Sequence, residues 1–220
     1  MEETKTLQVQ KNLDQKLNLA FTLSIITIVY NLLEGVFSAW FGYADSTLAL
    51  FGFGVDSFVE VMSGLGIAHM IWRMKRSQVK EADRFERQAL WVTGSGFYIL
   101  TAGLSIGAIY NIIENVHPTT TIAGIIISGI SILTMYILYK AKLNVGHALD
   151  SDPIISDAQC TLTCFYLSLI LMGSSLVYEL WHVPYVDAIG SLGIAWFAWS
   201  EGREAFEKAE KRSLTCTCHD

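Results

Sequence analysis

Asp56 and Glu60 stand four residues apart inside an otherwise apolar run from Leu48 to Trp72. On a helix, residues four apart stack on one face with Cβ atoms about 5 to 6 Å apart, so both carboxylates can grip one cation. The run has the length and hydrophobicity of a membrane-crossing helix, and an ionised carboxylate near its middle costs about 2.5 to 3.5 kcal/mol. The chain has fifteen Lys and Arg, and none falls inside an apolar span drawn by hydropathy. The expected partner of the acids is therefore a metal ion, a proton or a polar cavity rather than a basic side chain.

A second polar cluster runs through His147, Asp150, Asp152 and Pro153 to Asp157, Cys160, Thr161 and Cys164. The last four fall on one helical face at spacings of three and four. Small buried residues are the ordinary role of such cysteines, and a metal ligand is the functional one. Pro153 either opens this helix at its first turn or kinks a longer one. Upstream, Asn31 and Glu34 share a face, which makes Glu34 a third intramembrane acid; its bland reading is a bond to a neighbouring hydroxyl. His69 reads as an interfacial imidazole. Cys216, Cys218 and His219 near the C-terminus can hold a soft or borderline metal, or belong to a disordered tail. All four cysteines are expected to be reduced.

The elements that position these groups follow from hydropathy and Gly/Pro punctuation. With 220 residues, 52% hydrophobic, the chain reads as an all-α membrane protein with six spans at roughly 17–41, 47–72, 89–113, 120–139, 154–178 and 187–200. Residues 1–16 form a polar N-terminal segment, 17–200 the membrane domain, and 201–220 a charged helix and Cys/His tail. The fourth span carries no ionisable residue and reads as scaffold. Gly103 and Gly107 form a small-x-x-x-small pattern for helix packing. All fifteen basic residues lie before the first span, in alternate connections, or after the sixth. The positive-inside rule then places both termini in the cytoplasm. The opposite side is acidic, with Asp45, Glu114, Glu179 and Asp187, and would attract cations.

The net charge of -6 and the absence of a basic run with interleaved aromatics exclude nucleic acid as a partner. No cleavable signal precedes the first span. No nucleophile with a paired base stands out, so the chain is not expected to be an enzyme.

The stretch from Asn31 to Gly66 resembles the first two helices of the cation diffusion facilitator family of divalent-metal transporters. Asp56-Ser57-Phe58-Val59-Glu60 stands where that family has an Asp-x-x-x-Asp or His-x-x-x-Asp metal clamp. The likeness resumes at Ser156-Asp157, one end of the family's second clamp, and at Asp187-Ala188, where its sixth helix starts. Two departures accompany it. Pro153 stands four before Asp157, where the family has a ligand, so Asp152 and Cys160 rank equally as the fourth donor, ahead of a carbonyl or water. The folded cytoplasmic domain of most members has no counterpart after the sixth helix, so the pattern resembles the family's short form.

The resemblance implies that Asp56, Glu60 and Asp157, with Cys160 or Asp152, bind a divalent cation as substrate, with no tightly bound cofactor. Zinc, manganese or ferrous iron suits these ligands better than copper. The implied activity is export from the cytoplasm in exchange for protons, by a multi-pass protein of the lipid bilayer, in a bacterium the plasma or inner membrane. A homodimer is the partner assembly expected. Pro153 motivates the alternative, a membrane metal-binding or partner-regulating protein that holds an ion without cycling it. A structural six-helix subunit is the third reading.

Overall fold

The computed structural model describes the backbone of residues 2–76, 84–183 and 185–211, and the side chains of 13–76, 87–151, 154–183 and 185–210. The described residues form six helices: α1 (Glu2–Ala44), α2 (Leu48–Arg76), α3 (Arg84–Glu114), α4 (Ile122–Leu149), α5 (Asp152–Trp181) and α6 (Val186–Lys211). Five of them are long and apolar enough to cross a membrane. The sixth is not, because Asp187, Glu201 and Arg203 bracket its apolar stretch. The polar N-terminal segment expected at 1–16 is continuous with the first span, as one helix from Glu2.

The helices run up and down in a closed ring, α1–α2–α3–α6–α5–α4 and back to α1, with α2 also reaching α5 and α6 across the middle. Antiparallel register is explicit in the contacts: Gly96 faces Val59 while Gly52 faces Leu104, and Gly124 faces Ser175 while Gly146 faces Ile155. The outer surface is apolar, with Ile99, Ile106, Leu133 and Trp196 all more than 60% exposed. Exposed Trp40, Tyr43, Tyr110 and Trp181 gather at one end of the bundle and Trp72 and Trp91 at the other. Those are the aromatic belts of a membrane protein.

Two apolar layers plug the interior. Ala49, Leu50, Phe53, Leu104, Leu167, Leu171 and Ile194 fill one end, and Leu23, Ile67, Met70, Ile71, Leu138 and Ile154 the other. Asp56 and Glu60 on α2, Asp157, Cys160 and Thr161 on α5, and Glu201 on α6 lie between these layers. On α1, buried Ser24, Thr27, Asn31, Glu34 and Ser38 make a stripe at helical spacing.

Close approach of α1 and α2 sets their polar faces together. A Cβ on Gly54 would lie 2.5 Å from the Ala39 nitrogen and 2.9 Å from Ser38 Cβ, so the helices must part to admit it. Gly54→Ala is expected to cost about 1 to 3 kcal/mol by overpacking. A methyl group added at Gly103 would meet nothing within 4 Å, so Gly103→Ala is expected to be neutral or stabilising by up to about 1 kcal/mol. Thermal unfolding of both variants in detergent checks the pair, and equal shifts would refute the packing argument. Of the small-x-x-x-small pair, Gly107 packs against Leu48 and Gly103 faces no other described residue within 4 Å.

Two of the acids at the far end hold helix starts. Asp187 accepts from the backbone N–H of Leu48 at 2.8 Å and of Ala49 at 3.3 Å, which caps α2. Glu179 accepts from the N–H of Thr121 at 2.9 Å at the start of α4. Both carboxylates also complement the positive end of a helix dipole.

Candidate functional site

Pro153 opens α5 at its first turn, after Ser151, which settles the choice left open by the sequence. The connection before it is short, because α4 runs ten residues past the expected end of the fourth span, to Leu149, where Asp150 ends the helix in the left-handed conformation with φ 48°. Lys140, Lys142 and His147 are therefore helical.

A basic side chain is thus the buried partner of Asp157, whereas the expectation of a non-basic partner for Asp56 and Glu60 stands among the described residues. Lys142 is 2% exposed. Its ammonium lies 3.0 Å from Asp157 Oδ2 and donates to Thr161 Oγ1 at 3.0 Å. Ser24 donates to the same Asp157 oxygen at 3.5 Å. The fourth helix is thus part of the polar centre and not scaffold alone.

Glu60 faces a cavity of about 40 Å³ to which all six helices contribute, among them Asn31, Phe97, Lys142, Asp157, Cys160, Cys164 and Glu201. Asn31 Nδ2 donates to Glu60 Oε2 at 2.9 Å, and the Cys164 thiol donates to Oε1 at 2.6 Å. Asp56, one turn away on α2, is 2% exposed. Among the described residues its Oδ1 has no hydrogen-bond partner. Glu34 accepts from Tyr30 OH at 3.0 Å and from Ser57 Oγ at 3.2 Å. Hydroxyls satisfy it, as its bland reading has it.

The expected ligands are brought together only in part. Glu60, Asp157, Cys160 and Cys164 line one cavity, so the α5 face read from spacing is real. Along α5, however, Asp157 lies about 10 Å from Cys164, two turns away, and Cys164 is the residue that reaches Glu60. Among the described residues no three His, Cys, Asp or Glu converge on one point as a metal would require. Asp152 opens α5, and its side chain lies outside the described residues, as do Cys216, Cys218 and His219. Cys160 and Glu201 also line a groove of about 370 Å³ between α5 and α6. Lys208, 2.9 Å from Glu204, stands 3.9 Å from Cys160 Sγ. Glu207 pairs with Arg203 at 3.0 Å.

Two participants escaped the sequence reading. Glu201 stands at the start of a charged helix that reads as exposed, yet it faces the cavity. Lys142 reads as a loop residue after a span.

A ring of apolar-surfaced helices around a buried polar centre is the architecture of a polytopic membrane protein. The profile of the cation efflux transmembrane domain matches residues 21–210, and the chain belongs to the cation diffusion facilitator, or cation efflux, family. Comparison with curated proteins gives no match. Members of the family are transporters of divalent cations, not enzymes, and this chain is an integral multi-pass membrane protein.

Proposed function

We propose that the protein exports a divalent metal cation, zinc, manganese or ferrous iron, from the cytoplasm in exchange for protons, with both termini cytoplasmic. The observation that carries this reading is the α2 acid pair: Asp56 buried with a partnerless oxygen among the described residues, and Glu60 at the cavity one turn on. A buried carboxylate oxygen without a donor is costly and calls for a cation or a proton to complete it. Acids clustered in this way bind either a metal or protons, so the two compete for one site. Alternating access, with the apolar layers opening in turn, would carry each in one direction.

Asp56 and Glu60 are the core of the proposed site. Asp157, Cys160 and Asp152 are its α5 candidates, joined by Cys164 because of its contact with Glu60. Basic residues concentrated at the ends of α2, α4 and α6 favour the cytoplasmic assignment of those ends.

The test is zinc, manganese and iron binding by the purified protein, with proton release recorded in the same titration, for wild type and Asp56→Ala. Saturable binding with proton release, lost in the variant, is expected. Binding indifferent to Asp56→Ala would remove the site from α2. Binding without flux in liposomes would favour a protein that holds the ion without cycling it.

A further inference from the structure

We propose that Lys142 is a tethered cation that occupies the α5 half of the site until the cargo ion displaces it. The inference rests on the metal-transport reading and concerns how that site is set. Lys142 belongs to the same cavity as Glu60, Cys160, Cys164 and Glu201, and its ammonium sits on Asp157, the α5 carboxylate expected to hold metal. Thr161 Oγ1 receives a second hydrogen bond from it, one turn of α5 further toward Cys164.

Three features fit a displaceable ion better than a structural tie. A buried ion pair is weak evidence for stability, since apolar replacements of similar volume are often neutral or better. Lysine is a point charge on a flexible four-carbon stem, able to leave one acceptor for another. Lys142 also lies about 30 Å along α4 from Ile122, two turns before the helix ends, where its ammonium can snorkel toward the interface. A divalent ion entering the cavity attracts Asp157 with twice the charge of the ammonium. Exchange then releases the lysine and hands the carboxylate to the metal, with no bond made or broken beyond coordination.

The experiment titrates the full chain in detergent with Zn²⁺ and Co²⁺, the latter read by its absorption spectrum. Lys142→Gln, whose amide can still bond Asp157 and Thr161, is expected to tighten binding tenfold or more. Lys142→Met should do the same wherever it folds. In an Asp157→Asn background the gain from Lys142→Gln should fall below threefold, because no carboxylate remains to be released. An equal gain in that background would reveal a long-range charge effect and overturn the proposal, as would Lys142→Gln binding within threefold of wild type. Amine labelling of unmutated protein, followed at Lys142 by mass spectrometry, should rise severalfold when Zn²⁺ is added; unchanged labelling also overturns it. Failure of the transport reading looks different: neither wild type nor Lys142→Gln then binds either metal.

Discussion

Glu60→Gln is expected to weaken divalent-cation binding at least a hundredfold and to abolish cation flux in proteoliposomes. The substitution keeps the size of the side chain and removes its charge. At about 4 Å and an effective dielectric near 20, one unit charge interacts with another by about 4 kcal/mol, more than a hundredfold in affinity even before the second charge of the ion is counted. Glu60 is singled out because it accepts from Asn31 on α1 and Cys164 on α5 together, so it joins three helices at the cavity. Glu34→Gln supplies the contrast. That carboxylate is satisfied by Tyr30 and Ser57, so its replacement should change affinity by less than about tenfold and show itself as lost hydrogen bonds, each about 0.5 to 1.5 kcal/mol of stability. Calorimetric titration with zinc, alongside flux measured by a metal-sensitive dye inside the vesicles, reads both. A Glu60→Gln protein that binds within threefold of wild type would exclude Glu60 as a ligand.

The α2 centre was legible because helical spacing and apolar context are local properties. Asp56 and Glu60 share a face whatever surrounds them, and the runs that flank them define helices by composition alone. The α5 face was legible for the same reason, and Pro153 could be read both ways because a proline tolerates both. What spacing cannot supply is which residues meet across helices. Cys164, not Asp157, reaches Glu60 because α2 and α5 run antiparallel in one particular register, set by the packing of both helices against their neighbours.

The missed lysine has a more specific cause. A window of about 20 residues measures the hydrocarbon thickness, not the helix, and α4 continues well beyond it. Its buried positions, Gly124, Ser128, Ser131, Met135, Leu138, Lys142 and Val145, repeat at three and four without a break. Following that stripe instead of the hydropathy would have carried the helix through Lys142 and turned it inward. Glu201 was hidden in the same way, by a charged neighbourhood that suggested solvent. Asp187 and Glu179, read as negative charge at the far surface, also bind backbone N–H groups at the starts of α2 and α4, a role that spacing could not show.

Breaking the Lys142–Asp157 pair from either side is expected to be among the most destabilising changes in the bundle, about 3 to 5 kcal/mol for Lys142→Met or Asp157→Leu alone. Each single change strands a charge in a place that is 2% exposed for Lys142 and 7% for Asp157. Lys142→Met with Asp157→Leu strands neither, and should restore stability to within about 1 kcal/mol of wild type, since the desolvation cost of both ions disappears with their attraction. Thermal unfolding of the four proteins in one detergent gives the cycle. Additive losses would show that the two side chains stabilise the fold separately, through packing rather than through each other. The expected non-additivity carries a consequence for function. If an apolar pair serves the fold as well as the ionic one, stability does not account for a lysine and an aspartate held at a cavity shared with Glu60. Their presence is then explained by what the pair does when a cation arrives.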